Sequence, residues 1–353
     1  MLDYIIVGLG LSGIALSNHL EARKRSFVVF EDDSQTSTKV AGGIFNPVIL
    51  KRFTLAWEGD KQISYSVPFY EKLEKKLGKD LLKPLNIYRR FHSVEEQNNW
   101  FEAADNFRLS PFLNTQLIRQ VNPFIPGDFS FGKVEKTGTL DTNLLVSAYK
   151  KHLQKHQLLK NKPFDYDKLK LNENSVSYDG TEARNIIFCE GFGMVNNPYF
   201  NYLPLQGNKG EYLVIKSAAL QLKQAVKSSI FILPLGKNLY KVGATYNHQD
   251  KTQQPTLQAK EKLQQDLDQL ITCEYEIVDQ VAGIRPATSD RRPLVGNHPE
   301  YHHLFVCNGF GSRGVLIAPL ISEKLLNFIE DEIPLPPEVD ITRFQKKFYK
   351  SSF

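Results

Sequence analysis

Cysteine is scarce: three in 353 residues, Cys189, Cys273 and Cys307, far apart and with no CxxC pair. That excludes a disulfide framework and a cysteine zinc site, and it suits a reducing cytoplasm. No run of about 18 apolar residues occurs, which excludes a membrane-spanning helix. The apolar run near the start, Tyr4 to Val7, is too short for a signal peptide and has no basic leader. Charge of one sign does not dominate either. Lys+Arg 44 against Asp+Glu 39 leave a net +5 and a pI near 8.8, which permits an anionic partner without demanding one. No segment repeats with a period of about 20–50 residues, so a solenoid or propeller is excluded. What is left, 41% apolar and 24% charged, is a globular chain long enough for one large α/β unit or two intertwined domains.

The first thirty residues carry the strongest local signal. Tyr4-Ile5-Ile6-Val7 reads as a buried parallel strand. It enters Gly8-Leu9-Gly10-Leu11-Ser12-Gly13, and a helical pattern follows to Arg23. A second buried strand, Phe27 to Phe30, ends in Glu31-Asp32. Gly8 permits a tight turn, Gly10 lets a pyrophosphate approach the backbone, and Gly13 lets the helix sit close on the strand. The helix N-terminus, with Ser12 in its first turn, offers free amides to the phosphates. Glu31 stands where a carboxylate accepts from ribose hydroxyls, which disfavours a 2′-phosphate and hence NADP. The spacing does not separate FAD from NAD; the place at the start of the chain favours FAD.

Further on, Ala41-Gly42-Gly43-Ile44 suggests backbone passing close to something flat or bulky. Residues 66–83 read as an amphipathic helix, 85–93 as a strand and 95–104 as a helix. A helix over 140–158 is capped near Asp141 or Thr142. His152 and His156 share a face of it, without a carboxylate nearby to complete a metal site. A buried strand over 185–191 ends in Gly191. Strands follow over 210–216 and 230–246, the latter turning at Gly236-Lys237-Asn238, then a helix over 255–270 and a strand over 274–282. His298, His302 and His303 surround Glu300 in what reads as a surface loop, and no metal is expected there. A strand over 304–307 enters Asn308-Gly309-Phe310-Gly311-Ser312-Arg313-Gly314 and a helix over 315–330, with Pro319 tolerable in its first turn or as a kink. This second glycine-rich strand-to-helix junction predicts a second site for an anion or a ring, at Gly311, Ser312, Arg313 and Gly314.

Four blocks occur in order: the fingerprint, Ala-Gly-Gly-Ile, Gly283-Ile-Arg-Pro-Ala-Thr-Ser-Asp-Arg-Arg-Pro-Leu-Val-Gly296, and Gly309-Phe-Gly-Ser-Arg-Gly followed by Ala318-Pro319-Leu320. Together they resemble the D-amino-acid-oxidase (DAO) superfamily of FAD-dependent amine oxidoreductases, which includes glycine and sarcosine oxidases, over Tyr4 to about Ile329. Gly-Ser-Arg-Gly…Ala-Pro-Leu-x-x-Glu and the acidic-proline tail are most similar to one subgroup. It is the FAD domain of the bifunctional enzyme that modifies the tRNA wobble base 5-carboxymethylaminomethyl-uridine. The chain begins at the fingerprint, so the methyltransferase half of that enzyme is not expected in it.

The resemblance implies hydride removal from the carbon beside an amine nitrogen to flavin N5, with hydrolysis of the imine in water. It implies Arg285 as the clamp on a substrate carboxylate, Arg313 as a second candidate and Tyr246 as a pocket wall. Arg313 is one residue out of register with the arginine of glycine oxidases. Phe231 falls where those enzymes have tyrosine, which speaks against a plain glycine oxidase. Gly283 lies near the position where sarcosine oxidase attaches its flavin to cysteine, so FAD is expected to be non-covalent. Expected FAD contacts are Gly8, Gly10, Ser12, Gly13, Glu31, Asp32, Gly42, Gly43, Gly191, Gly311, Ser312, Arg313 and Gly314.

Three functions stay open: oxidation of a small amine or amino acid, the same chemistry on a wobble uridine of tRNA, and flavin binding without catalysis. Arg291-Arg292 and Lys346, Lys347 and Lys350 would touch phosphate only in the tRNA case. The expected fold is α/β, a doubly wound FAD-binding domain (1–84, 137–203 and 283–340) interleaved with an α+β substrate domain on a mixed or antiparallel sheet (85–136 and 204–282), with a C-terminal tail at 341–353.

Overall fold

A computed structural model describes residues 1–351. Ser352, Phe353 and the side chains of Lys350 and Ser351, all in the anticipated tail, lie outside the described residues.

Two large sheets organise the chain. The first is built on five parallel strands in the order Leu159–Asn161, Phe27–Glu31, Leu2–Val7, Thr181–Phe188 and Leu304–Asn308. Its central strands are continuous apolar runs because both faces are covered, one by the helices that carry Leu16, Leu145 and Ile321 and the other by Tyr178, Met194, Phe200 and Leu203 from turns and a short strand; Ile5, Ile6, Val29, Ile187 and Val306 are fully buried. The antiparallel strand Leu294–Asn297 closes the edge beside Leu304–Asn308. Two helices, Leu11–Ala22 and Gly314–Asp331, run side by side in the same sense. Gly314 abuts Leu11 near their starts, His19 meets the Pro319 carbonyl at 2.9 Å, and Arg23 reaches Glu330 at 3.0 Å near their ends.

The second sheet has seven strands in the order Glu276–Arg285, Asn208–Lys216, Leu239–Gly243, Phe231–Gly236, Ala225–Lys227, Ile87–Arg90 and Phe131–Val134. It is mixed, since Ala225–Lys227 and Ile87–Arg90 pair in parallel and the rest antiparallel. One face, with Leu213, Ile215, Ile232 and Val242, is covered by the helix Leu257–Asp268. The other carries Ile87, Ala225 and Leu233 into the core shared with Leu9, Ile14, Phe45 and Phe53. That second face therefore looks toward the nucleotide fingerprint.

Several boundaries differ from expectation for physical reasons. The helix anticipated over 66–83 runs Gly59–Leu77. Its N-cap, Glu58, is left-handed (φ 45°) with no side-chain cap, so the sequence carries no start signal there; Gly78 (φ 60°) ends it in a left-handed cap. The helix of 140–158 runs Thr142–Lys155, capped as expected by Asp141, which accepts from the Leu144 amide at 2.9 Å. A carboxylate does stand beside its histidines: Glu21, from the neighbouring helix, meets His152 Nε2 at 2.6 Å. His298 is not on the surface. It is buried, its Nδ1 accepts from the amides of Glu300 (3.1 Å) and Tyr301 (3.2 Å), and burial drives its pKa down to about 4. No group of metal-holding side chains occurs among the described residues. The described tail forms a 3₁₀ turn, Ile341–Phe344, and a helix, Gln345–Ser351, with Ile341 buried.

Pro319 lies in the body of the helix Gly314–Asp331, not in its first turn. Its missing N–H leaves the Val315 carbonyl without its i+4 donor. The Tyr70 hydroxyl takes that place, donating to Val315 O at 3.0 Å, and Ser66 Oγ donates to Leu316 O at 2.7 Å. Tyr70→Phe strands a buried carbonyl and should cost about 1–3 kcal/mol; urea unfolding of the variant against the parent measures it, and an unchanged midpoint would show the bond to be idle.

Candidate active site

The first glycine-rich turn is shaped by contact. A Cβ on Gly13 would stand 2.0 Å from the Gly8 carbonyl oxygen, and one on Gly8 (φ 96°) 2.6 Å from that of Cys189. These two glycines serve packing, while Gly10 keeps the turn bare, with Thr38 Oγ1 3.3 Å from the place of its missing Cβ. Gly10 caps the helix Leu11–Ala22 without a side chain, so the first amides stay available. Glu31 accepts from the Leu9 amide and, at 2.7 Å, from that of Asp33, and burial pushes its pKa up. Asp32 is exposed and accepts from the Ser34 amide at 2.9 Å. The Ser12 hydroxyl donates to Cys307 O at 2.7 Å, so Ser12 offers an incoming group its backbone only. Gly191 (φ 55°) follows the strand Thr181–Phe188, and its carbonyl accepts from Asn308 Nδ2 at 2.8 Å.

The second junction opens at the same edge. Gly311 (φ 56°) has open space where a Cβ would point. Ser312 is exposed, and the helix beginning at Gly314 has no side-chain cap on Arg313. Two uncapped helix starts, a bare-glycine turn and a carboxylate at the end of the second strand are a donor set suited to a dinucleotide.

Gly42 and Gly43 connect this edge to the seven-stranded sheet. A Cβ on Gly43 (φ 65°) would lie 2.0 Å from Leu140 O; on Gly42 it would lie 2.9 Å from Leu233 Cδ1. Lys241 braces the segment from the sheet side, donating to the carbonyls of Val40 (3.1 Å) and Ala41 (3.2 Å) above the Tyr212 ring. Burial lowers its pKa. Sequence reasoning missed Lys241 and Tyr212. The available signal was a lysine at an inward position of an alternating strand, Leu239–Gly243.

Arg285, Arg313 and Tyr246 come together. Arg285 lies over Gly210, where a Cβ would stand 2.1 Å from Nη2. Its Nη1 makes long bonds to Asn208 Oδ1 (3.4 Å) and Thr245 O (3.3 Å), and its guanidinium sits 4.6 Å from the centre of the exposed Tyr246 ring. Among the described residues no carboxylate pairs with it. Arg313 is occupied. Nη1 donates to Asn46 O (2.9 Å) and Nη2 to Val48 O (3.3 Å), which pins the short hairpin Val48–Ile49/Thr54–Leu55. Burial pulls its pKa down to about 10, still charged at neutral pH.

The DAO family description, FAD dependent oxidoreductase, matches residues 3–327. The chain belongs to that family. It is 31% identical over 202 residues to the tRNA 5-methylaminomethyl-2-thiouridine biosynthesis bifunctional protein MnmC of Legionella pneumophila, a match covering 47% of this chain and 29% of that protein. It thus spans under a third of that relative. It is 22% identical over 352 residues to glycine oxidase of Bacillus subtilis, covering 92% and 93% of the two chains. The crystal structure of glycine oxidase from Geobacillus kaustophilus superposes with a TM-score of 0.80 at 20% identity, covering 97% of both chains. The α/β fold of the two sheets is that of this family.

Glu190, next to Gly191, is buried between Tyr166 and Asn197 Nδ2 (2.8 Å), and burial raises its pKa to about 7. A carboxyl whose pKa is higher folded than unfolded stabilises fully below its unfolded value of 4.5. That contribution is lost as pH rises through about 7. Stability should therefore fall by on the order of 2–3 kcal/mol between pH 5 and 8 from this group, and Glu190→Gln should flatten that slope in denaturant titrations. A second expectation concerns Gly210→Ala. The new Cβ displaces the Arg285 guanidinium, so FAD content should hold while a carboxylate ligand, titrated by flavin absorbance, loses about tenfold in affinity. Equal affinity in parent and variant would show that Arg285 does not meet the ligand.

Proposed function

We propose that the chain oxidises the C–N bond of a carboxylated amine or amino acid, with FAD held non-covalently and Arg285 clamping the carboxylate. One observation carries this reading: a guanidinium without a carboxylate partner lies on the sheet face that looks toward Gly42 and Gly43. The bidentate fork of arginine suits a carboxylate.

In this reading the amides after Gly8 and Gly10 and through Gly13 receive the pyrophosphate. Glu31, Asp32 and Gly191 border the adenosine. Gly42, Gly43 and the segment Gly311, Ser312, Arg313 and Gly314 border the ring system. FAD, when bound, supplies the two-electron acceptor for a hydride from the carbon beside nitrogen. The chain binds and orients. Arg285 holds the carboxylate, Tyr246 walls the opening, and Arg313 keeps the 48–55 hairpin in place as a positioning residue. The amine binds unprotonated, so no general base is assigned; water then splits the imine to a carbonyl compound and the freed amine. The cysteines support non-covalent FAD. Cys189 and Cys307 are buried behind the fingerprint, and Cys273 lies beside Ser217, bonded through Sγ at 3.6 Å. We divide the chain as the sequence suggested, with the boundary at 283 moved past Arg285, because the strand Glu276–Arg285 is continuous. No helix among the described residues is long and apolar enough to cross a membrane, and we place the protein in the cytoplasm.

A second reading, the same oxidation on a carboxymethylaminomethyl group of tRNA, draws support from the cations around the hairpin. Lys51, Arg52 and Arg291 are exposed, and Arg292 lies 5.5 Å from the Trp57 ring centre.

The deciding experiment is anaerobic. The yellow holoprotein is mixed with sarcosine, glycine, proline, D-amino acids and tRNA bearing the modified base, and flavin bleaching is followed. Bleaching by tRNA alone would overturn the small-amine reading. Arg285→Ala should retain flavin and lose about 100- to 1000-fold in apparent affinity for a carboxylated amine; unchanged kinetics would remove Arg285 from the site.

A further inference from the structure

We propose that the same pocket has a second anion clamp, Lys227, and that the substrate is an amine bearing two separated anionic groups, one for Arg285 and one for this lysine. The inference rests on the clamp reading of Arg285 and adds the substrate's far end.

Strand register carries the argument. Across the seven-stranded sheet, Tyr212 pairs with Gly243, Gly243 with Phe231, Phe231 with Lys227 and Lys227 with Arg89. Alternation puts Phe231 and Lys227 on the face of Leu233 and Ala225, the face turned toward the 41–53 segment. The Tyr212 ring lies where a Gly243 side chain would be, since a Cβ there would stand 2.6 Å from Tyr212 Cδ1. Arg285, two residues along over Gly210, opens this row; Tyr212 and Phe231 floor it; Lys227 ends it. The lysine leans back along the row, with Nζ 5.1 Å from the Phe231 ring centre. Three strand spacings and two residues of rise separate Gly210 from Lys227, roughly 16 Å, and the reach of the two long side chains shortens the span to roughly 10 Å.

Lys227 has the marks of a cation waiting for a partner. Its bonded neighbour is a carbonyl, Ser229 O at 2.6 Å, and no carboxylate pairs with it among the described residues. Asp266, the acid that attracts it at longer range, is paired with Lys262 at 2.7 Å. Beside it, Arg89 is already taken by Glu96 (2.8 Å) and Ser228 O (2.9 Å). Burial, then Arg89 and Lys51, pull the Lys227 ammonium down to about 8. An anion laid along Phe231 would relieve all three. The floor is aromatic, Tyr212 and Phe231, which fits a flexible apolar arm ending in carboxylate or phosphonate.

The test uses the holoprotein and amines that share an N-carboxymethyl group. Sarcosine carries one anion. Iminodiacetate, N-carboxymethyl-4-aminobutyrate and N-carboxymethyl-6-aminohexanoate carry a second at increasing distance. In anaerobic flavin reduction at least one dianion should bind about tenfold or more tightly than sarcosine. Lys227→Met should bring that ratio within about twofold, and Lys227→Arg should restore it. Flavin absorbance and thermal unfolding confirm that each variant is loaded and folded. Equal affinity for mono- and dianions in the parent, or a ratio unmoved by Lys227→Met, overturns the proposal. If no amine reduces the flavin, the oxidase reading falls separately, and the lysine is judged by titrating flavin absorbance with adipate against butyrate. A preference for adipate lost in Lys227→Met upholds the second clamp; no preference overturns it. Bleaching by modified tRNA with no discrimination among the small anions also overturns it.

Discussion

Two helices pointing the same way impose the constraint from which the site follows. The dipoles of Leu11–Ala22 and Gly314–Asp331 add instead of cancelling, so one edge of the parallel sheet gathers positive field and the opposite edge negative field. At the negative edge the chain supplies its own answer, as Arg23 and Arg25 close around Glu330 at 3.0 and 2.9 Å. At the positive edge it supplies none. Neither first turn holds an acidic residue and neither start has a side-chain cap. The glycines bring the two starts into reach of one another, and the arrangement is suited to an anion from outside the chain.

The sheet that faces this edge sorts its cations into two kinds. Lys209 is fully buried but satisfied, 2.5 Å from Asp250 and 3.6 Å from Glu211, which itself accepts from Thr256. It joins a loop to a strand and has nothing left to offer. Arg285 and Lys227 are bonded only to neutral groups. A half-buried charge without a counter-charge marks a candidate ligand contact, and that distinction is visible only once the partners are known.

Hence the uneven legibility of the sequence. The fingerprint, the Asp141 cap, the turn at Gly236-Lys237-Asn238 and the second glycine-rich junction are local chemistry, and each lies where the residues indicated. The start of the helix at Gly59 was hidden because a left-handed Glu58 without a side-chain bond looks like any other residue. His298 is enclosed by rings from distant segments, Phe348 at 5.0 Å and Phe200 at 5.5 Å, besides its neighbour Tyr301 at 4.8 Å. Arg313 reads as a candidate clamp until its carbonyl partners, more than 260 positions earlier, are seen. Lys241, Tyr212 and Lys227 acquire meaning from strand pairings that join distant segments, and a linear pattern does not contain those pairings.

The looseness of Arg285 has a practical side. Its bonds at 3.3 and 3.4 Å are poor ones to neutral oxygens, so they hold the guanidinium only weakly against a carboxylate. With Arg285 as the clamp we propose, acetate, citrate and similar buffer components compete with the substrate, and the choice of buffer then enters the constants measured on this protein.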